Sequence, residues 1–386
     1  WVYSVIPNMG GKTGMTGVLD FYANGHLEAL SSSNRGNLVA HGLAPEGIEN
    51  NEVLYELVTD AGWSDHRMDV RDWLKQYSIN RYGKAPAQLM KAWDYLLKSV
   101  YGTFTDHPRF NWQFRPGLVK NGSINISDDY FKGLESFVAA SEELKDSPYY
   151  LTDLCEMTAH YLGGKAEILT RQIDQEYLLG DTLQAHFLQS RFETFMLGMD
   201  RILSQHPTLR LDRWVSFASK AARTEAQRKQ YEMNARHIVT VWGPPVDDYS
   251  ARMWSGLVGS YYLGRWKEYY KGRDSGKSAD LSSWERKWVE ENRVYKKWNS
   301  DFDLIDFSRK MIGLSQDISS ADLLLNRPAM IGTWSLARNS SKDLLFNIPA
   351  RMLVGLNGVS LECLKGKGDI EVTGLVLEAD GKVIYS

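Results

Sequence analysis

Cysteine is scarce in this sequence, and the spacings that hold metals or nucleotides are missing. The two cysteines, Cys155 and Cys363, lie far apart, which excludes a disulfide framework but leaves one incidental bridge open. Cys155 lies in a helical pattern and is predicted to be a buried thiol. No CxxC or HExxH spacing occurs, and the glycines of residues 10–17 fit neither GxGxxG nor GxxxxGKS/T. We therefore predict neither a metal nor a cofactor.

The sequence also lacks a strong excess of either charge and any long apolar run. The formal net charge is −3 and the pI is near 6.3, so there is no electrostatic basis for nucleic-acid binding. No apolar stretch of about 18 residues or more occurs, so we predict no membrane span. Neither a signal peptide nor an initiator Met is present, and the chain begins in an apolar run, WVYSVI. We expect it to start inside a longer protein, in which case the missing signal excludes no compartment.

Aromatic residues, by contrast, are abundant. The chain has 13 Trp, 20 Tyr and 13 Phe, which is 12% of its residues. Sugars present flat apolar C–H faces edged with hydroxyl groups, so aromatic-rich clefts suit carbohydrate ligands. The alternative is that these side chains fill helical cores, and for most of them we expect that role.

The order of the patterns predicts three regions of mixed fold class. Residues 1–62 alternate strand and helix twice, which is typical of a parallel sheet or barrel. Two units are too few to close a barrel, so we interpret them as the final strand–helix units of a (β/α)8 barrel. Residues 63–312 are predicted to form a large all-α helical domain. Residues 313–386 carry short β-branched runs between turn signals, which predict a small antiparallel β unit that is truncated in mid-strand.

Apolar periodicity predicts the individual elements. Strands are expected at 1–6 and 37–43, and a long loop with little periodicity at 103–127. Near the start of the last helix we expect a capping box formed by Ser282 and Glu285. Helices are predicted over 17–31, 51–63, 66–81, 86–101, 128–144, 147–205 (two helices broken near Gly180-Asp181), 223–241, 248–272 and 281–300.

The turn after the second predicted strand presents a candidate catalytic carboxylate. Pro45-Glu46-Gly47 follows that strand and precedes a helix that we expect Asn50 or Asn51 to cap. A carboxylate at the C-terminal end of a barrel strand lies where such barrels have their active sites. Glycoside hydrolysis needs two carboxyl groups, and Glu46 is the first candidate for one of them. The alternative is that Glu46 is a plain turn residue.

Three neighbouring residues could also bear on this turn. Glu52 is expected in the first turn of the following helix, where its charge suits the helix dipole, which is a structural role. Glu49 can be interpreted either way. His41 lies just before the turn and is a candidate to hydrogen-bond to Glu46, although a lone His on a strand is more often a satisfied core residue.

A second cluster spans residues 240–249, TVWGPPVDDY. The helix before it ends at the Gly-Pro, and two consecutive prolines stiffen the turn between Trp242 and Tyr249. An aromatic pair on a rigid turn is a platform for a sugar ring. From the residues alone, we favour the alternative that Trp242 seals a helix–helix interface. In the Gly-rich loop near the N-terminus, Asn8 either reaches a ligand at the barrel mouth or belongs to a mobile loop.

Six motifs occur in an order that is specific to one enzyme family. The most specific is LAPEGIENNEVLYELVTDAGW at residues 43–63, and WVYSVIPNMGGKTGMTG at residues 1–17 precedes it. RYG at 81–83, AWDYLLKSVY at 92–101, NARHIVTVWGP at 234–244 and YYLGRW at 261–266 follow. Together they resemble glycoside hydrolase family 89, the α-N-acetylglucosaminidases, over roughly residues 1–310. The β unit lies outside this range and resembles an accessory module of bacterial carbohydrate enzymes.

The resemblance implies a retaining exo-glycosidase that removes terminal α-linked N-acetylglucosamine from glycans or glycosaminoglycan-type chains. Glu46 matches the family's catalytic nucleophile, and Trp242 and Tyr249 match aromatics that wall its sugar pocket. Asn8 lies on the barrel-mouth loop, and with His41 it completes the predicted substrate-binding residues. The family's general acid precedes residue 1, so we expect the N-terminal remainder of the polypeptide as a partner, and an inactive chain without it.

The implied mechanism is double displacement at the anomeric carbon, with Glu46 as nucleophile. One alternative is a hexosaminidase of other sugar or anomer specificity, including one in which the substrate's own acetamido oxygen replaces Glu46 as nucleophile. Another is a non-catalytic carbohydrate-binding fragment of helices and β strands. A periplasmic or extracellular location fits the appended β module of a bacterial enzyme, whereas animal members of the family are lysosomal.

Overall fold

Two parallel strands joined by a helix begin the chain. β1 (Val2–Val5) and β2 (Ala40–Leu43) pair in parallel. α1 (Leu19–Ser31) joins them, and α2 (Glu52–Ala61) follows β2. The predicted alternation of strand and helix is therefore confirmed, although both strands are shorter than predicted. Two strands do not form a closed barrel, so the barrel itself stays a prediction.

The structure is a computed structural model of the 386-residue chain. Its contacts form two units, Trp1–Arg327 and Pro328–Ser386. The predicted boundary at 62/63 falls inside the first unit and stays a prediction. The described residues are 1–10, 14–47, 49, 51–104, 109–116, 124, 126–242, 248–291, 298, 302–319, 377–379 and 382–385.

Helices dominate the first unit, and most of them follow the predicted periods. The ten-residue helices Leu211–Lys220 and Leu304–Gly313 are absent from the prediction, because periods that short are hard to separate from loops. Part of the predicted loop 103–127 is described, and it includes a 3-10 turn at Asn111–Gln113. The further helices are α3 (Val70–Tyr82), α4 (Ala87–Leu97), α5 (Asp128–Ala139), α6 (Ser141–Leu144), α7 (Pro148–Leu179), α8 (Thr182–Leu203), α9 (Leu211–Lys220), α10 (Glu225–Ile238), α11 (Leu263–Asp274), α12 (Leu281–Glu290) and α13 (Leu304–Gly313).

The hairpin of α7 and α8 lies at the centre of the helical packing. Nearly every residue of α7 from Asp153 to Thr170 is buried, as expected of a helix that is surrounded by others. The chain breaks at the predicted place, where Gly180 adopts a φ of 81° and the Asp181 side chain caps α8. No described helix is long and apolar enough to cross a membrane.

Aromatic side chains fill this core, as expected for most of them. Many of the largest fully buried side chains are aromatic, among them Trp93, Trp112, Trp288, Tyr101, Tyr130, Tyr150, Tyr161, Tyr261, Tyr262 and Phe110. Cys155 is buried among them as a free thiol, as predicted, and burial raises its pKa to about 12. Cys363 lies outside the described residues.

Asn51 occupies the predicted N-cap position of α2, but the prediction that its side chain caps the helix is wrong. The helix does begin after Asn51, but the Asn51 side chain makes no capping hydrogen bond. Its φ is 63°, a left-handed conformation that Asn tolerates better than most residues. The side chain instead donates to the Thr16 carbonyl at 3.3 Å and accepts from the Tyr101 hydroxyl at 2.7 Å. Asn50 lies outside the described residues.

The single helix predicted over 248–272 is also wrong. Residues 248–256 are turns and irregular backbone with an isolated bridge at Ser255. Residues Val258–Tyr262 then form a π-helical turn, and only after it does α11 begin. The cause is Asp200 on α8, whose Oδ1 accepts from the backbone N–H of Gly256 at 2.6 Å and of Gly259 at 2.9 Å. A carboxylate from another helix therefore takes the amides that a regular helix would have used.

The capping box predicted for Ser282 and Glu285 is wrong as well. Asp280 caps α12 instead, accepting from the Ser283 N–H at 3.0 Å. Glu285 is 1% exposed and forms an ion pair with Arg265 at 2.9 Å. A partner that is distant in sequence thus determines the orientation of this carboxylate.

Little of the predicted C-terminal β unit is described. β3 (Leu377–Ala379) and β4 (Lys382–Tyr385) pair antiparallel. The other predicted runs, from 330 to 376, lie outside the described residues. The β unit as a whole stays a prediction.

Gly163 on α7 tests the packing of this core. A Cβ at Gly163 would lie 2.5 Å from Cε2 of Phe110, whose ring stacks on Trp112. We expect Gly163→Ala to lower the free energy of unfolding by about 1–3 kcal/mol through overpacking. The better helix propensity of Ala offsets at most about 1 kcal/mol of that loss. Urea denaturation measures the difference.

Gly313→Ala is the matched control, because nothing lies within 4 Å of a Cβ at Gly313. It should leave stability unchanged or slightly raised. If Gly163→Ala also unfolds at the wild-type urea concentration, this description of the core is incorrect.

Candidate active site

The turn that follows β2 is held from beneath by Asn8. Asn8 is 5% exposed, and its Oδ1 accepts from the backbone N–H of Glu46 at 3.1 Å. Its Nδ2 donates to the Gly47 carbonyl at 2.9 Å and lies 3.0 Å from the Tyr55 hydroxyl. Tyr55 in turn donates to the Gly47 carbonyl at 2.6 Å. Both polar ends of the Asn8 side chain are thus used to shape the turn that presents Glu46.

The carboxylate of Glu46 projects from this turn and is exposed. Its Oε2 accepts from the backbone N–H of Gly10 and from the hydroxyl of Tyr249 at 3.1 Å. The two donors are far apart in sequence, since one lies in the loop after β1 and the other in the helical region. Together they determine the orientation of a carboxylate that remains open to solvent, as a nucleophile requires.

Trp242 and Tyr249 lie next to each other, and Tyr249 contacts Glu46; the role of the pair as a sugar platform stays a prediction. Their ring centroids are 5.6 Å apart with an interplanar angle of 58°. Trp242 is 43% exposed, which argues against the alternative that it seals a helix–helix interface. Burial and the hydrogen bond to Glu46 raise the pKa of Tyr249, so its hydroxyl keeps the proton that it donates.

Asp248 places Tyr249 in this position. It has a φ of 63°, is 1% exposed, and its backbone N–H donates to the Thr240 carbonyl at 3.0 Å. Both its carboxylate oxygens lie 3.0 Å from the guanidinium of Arg265, which also contacts Glu285 at 2.9 Å. We call Asp248, Arg265 and Glu285 the Arg265 cluster.

The Arg265 cluster also anchors the loop that follows α4. Arg265 donates to the Gln113 carbonyl at 2.9 Å, Arg115 forms an ion pair with Glu285, and Arg109 donates to the Asp248 carbonyl. Burial raises the pKa of the Asp248 carboxyl, and Arg265 opposes that shift. The turn that carries Tyr249 is therefore built on a buried, charged base in which Arg265 pairs with both carboxylates.

His41 is the predicted site residue that the structure does not bring to Glu46. Its ring stacks on Tyr3 at 5.7 Å between centroids and meets His26 edge-on at 5.5 Å. Burial is the main cause of a lowered pKa at His41. These contacts lie between the strands and α1, and they match the alternative of a core histidine. Its predicted role in substrate binding stays a prediction without support from its contacts.

Arg252 is a residue of the site that the sequence patterns do not single out. Its guanidinium donates to the Gly10 carbonyl, and its Nε lies 3.7 Å from Oε1 of Glu49. Glu49, for which the sequence leaves both interpretations open, is therefore paired with a cation. The pattern of residues 248–272 had placed Arg252 inside a helix, and no local signal connects it with Gly10, which lies 242 positions away.

Glu52 lies in the first turn of α2, as predicted, and its surroundings are strongly acidic. Burial first and the charge of Asp153 second raise its pKa from 4.5 to about 7. Arg81 lies 4.0 Å away but is engaged by Asp153 through two hydrogen bonds of 2.6 and 2.7 Å. Glu52 and Glu156 line a small cavity together with Asp153. Among the residues that the structure describes, no group of His, Cys, Asp and Glu is arranged to hold a metal ion.

Two family models match this chain. The α-N-acetylglucosaminidase (NAGLU) tim-barrel domain matches residues 1–65, and the α-N-acetylglucosaminidase (NAGLU) C-terminal domain matches residues 73–314. The chain is 30% identical over 284 residues to a human α-N-acetylglucosaminidase. The matched region covers 69% of the chain and 37% of that protein.

Solved structures of a family 89 glycoside hydrolase from Clostridium perfringens have a similar fold. The complex with PUGNAc is 25% identical, with a TM-score of 0.75 over 83% of this chain and 40% of that one. The complex with 2-acetamido-1,2-dideoxynojirmycin is 26% identical, with a TM-score of 0.75 over 84% and 40%. The chain thus spans about two-fifths of the length of the relatives that it matches.

Replacement of Arg265 tests whether the Arg265 cluster supports the site. Arg265→Leu leaves two buried carboxylates without their shared cation, so we expect a loss of about 3–5 kcal/mol in the free energy of unfolding. Arg71→Leu is the control, because it removes an arginine–aspartate pair, with Asp94, from an exposed position. Urea denaturation should separate the two variants clearly, and equal losses would contradict the role of the cluster.

Glu52 makes stability depend on pH in a stated direction. Because its folded-state pKa is raised, the folded state binds a proton that the unfolded state releases, and that contribution is lost as the pH rises from about 4.5 to about 7. Glu52→Gln should therefore be more stable than wild type at pH 8, by roughly 1–3 kcal/mol, and similar to it below pH ~5. Glu28→Gln, on the exposed surface of α1, should keep the wild-type profile. Denaturation midpoints between these pH values are the measurement, and an unchanged slope in Glu52→Gln would refute the assignment.

Proposed function

The chain belongs to the α-N-acetylglucosaminidase family, glycoside hydrolase family 89, and on that premise we propose that it contributes the nucleophile to a retaining glycosidase active site. The substrate would be a glycan or glycosaminoglycan-type chain that ends in α-linked N-acetylglucosamine. The observation that carries the proposal is the Glu46 carboxylate, which is exposed at a strand end and held by Gly10 and by Tyr249, whose ring lies next to that of Trp242.

In the first step, an oxygen of Glu46 attacks the anomeric carbon while the bond to the leaving oxygen breaks. A general acid donates its proton to the leaving oxygen. The family resemblance implies that this acid comes from the part of the enzyme that precedes residue 1. In the second step, water attacks the glycosyl ester, the same acid acts as base, and Glu46 leaves as a carboxylate. The attack requires a fixed carboxylate, and the donors at Gly10 and Tyr249 supply that orientation.

The aromatic pair supports a sugar ligand in particular. The exposed ring of Trp242, next to Tyr249, offers an apolar surface for the C–H face of a sugar ring. Asn8 shapes the turn through its hydrogen bonds, and its predicted role in substrate binding stays a prediction. We also propose that the enzyme acts outside the cytoplasm, as the β-rich module predicted after residue 313 would suit.

Glu46→Gln tests the nucleophile. In the full-length polypeptide that contains this chain, we expect hydrolysis of an aryl α-N-acetylglucosaminide to fall by at least about 10³-fold, because a carboxamide cannot replace the attacking carboxylate. Folding should be preserved, since a Gln oxygen still accepts from Gly10 and Tyr249. Glu28→Gln is the control and should retain wild-type turnover, and near-wild-type activity of Glu46→Gln would rule out the assignment.

Mass spectrometry of the wild type with a slow, activated substrate completes the test. A covalent glycosyl adduct on the peptide that contains Glu46 is expected. A reaction through the substrate's own acetamido oxygen would leave Glu46 unmodified and would show that it is not the nucleophile.

A further inference from the structure

Arg252 contacts the active-site loop from the helical region. Its guanidinium donates to the Gly10 carbonyl, its side chain is 11% exposed, and its carbon Cζ lies 5.6 Å from the ring of Trp254. Its own carbonyl accepts from the Tyr262 hydroxyl at 3.0 Å. The position of this cation is therefore determined at both its backbone and its side chain.

Gly10 connects Arg252 with the nucleophile. The residue has a φ of 68°, and while its carbonyl accepts from Arg252, its N–H donates to Oε2 of Glu46. The carbonyl of Gly10 thus binds the guanidinium of Arg252, and the N–H of the same residue binds the carboxylate of Glu46. Movement of the Gly10 carbonyl would also move the N–H that orients Glu46.

We infer that Arg252 is a positioning residue for Glu46, which it orients through Gly10. The inference rests on the proposed function, because it assigns a role in the reaction of that same site. Arg252 acts through another residue and its described contacts lie behind the loop, so it should affect the chemical step more than substrate affinity.

The charged and titratable groups around Arg252 come from several elements. Glu46 and Glu49 lie between β2 and α2, Tyr55 lies on α2, and Tyr262 lies in the π-helical turn. Burial lowers the pKa of Arg252, and these four groups oppose that shift, with Glu49 the strongest. The guanidinium remains charged under assay conditions. Glu49, whose Oε1 lies 3.7 Å from the Nε of Arg252, is the carboxylate paired with this cation.

Two substitutions of Arg252 test the donor to Gly10. Arg252→Met removes the guanidinium, so kcat should fall by about 10²-fold, the scale of a small misplacement of a reacting group, with little change in KM. Arg252→Lys keeps a cationic N–H donor but not the planar fork, so it should recover part of the kcat that Arg252→Met loses.

Glu49→Gln tests the other contact of the guanidinium. It removes the ion pair of 3.7 Å but leaves the donor to Gly10, so kcat should fall less than in Arg252→Met. Arg71→Met, at an exposed pair near the start of α3, is the control and should leave kcat and KM unchanged. All variants are made in the full-length polypeptide, and their unfolding midpoints are measured in parallel.

The outcomes distinguish this inference from the proposed function. If Glu46→Gln remains active, the proposed function is wrong and the inference falls with it. If Glu46→Gln is inactive but Arg252→Met has wild-type kcat, only the inference is wrong. Equal losses of kcat in Arg252→Met and Arg252→Lys would mean that a donor to Gly10 is not what Arg252 supplies, and would overturn it. If Arg252→Met does not fold, Arg252→Lys decides, and a rise in KM without a fall in kcat overturns the inference.

Discussion

A buried positive charge that must be neutralised organises the helical region around the site. Arg265 is fully buried, and a guanidinium out of water is stable only with carboxylates and carbonyls arranged around it. Asp248 and Glu285 supply that arrangement from different parts of the chain, which draws α12 and the turn before the π-helical segment towards α11. Tyr249, the next residue after Asp248, is thereby presented to Glu46.

The active-site turn depends on this long-range support because its own segment is short. Glu46 follows a four-residue strand, and Asn8, Tyr55 and Gly10 are the described residues near it in sequence that hold the turn and its carboxylate. The remaining donors to its carboxylate network, Tyr249 and Arg252, arrive from residues about two hundred positions later. The helical region therefore does more than cover the strands, since it completes the environment of the carboxylate.

Sequence patterns were sufficient wherever local chemistry decided the structure. The α7–α8 break follows from a glycine that accepts a left-handed conformation and an aspartate that caps the next helix. The patterns failed where a distant side chain competed for local groups. Asp200 takes the amides that would have extended a helix through Gly256, and Arg265 takes the carboxylate of Glu285 that would have formed a capping box.

The sequence by itself determined the alternation of strand and helix, the exposed turn at Glu46 and, through motifs of several consecutive residues, the family. Each of these is encoded by neighbours in the chain, so local periodicity and turn chemistry are enough to reveal it. Only the tertiary structure decided that Tyr249 donates to Glu46, that Asn8 lies beneath the turn, and that Arg252 reaches Gly10. Hydrogen bonds between residues far apart in sequence depend on how the helices pack, and no local pattern records that packing.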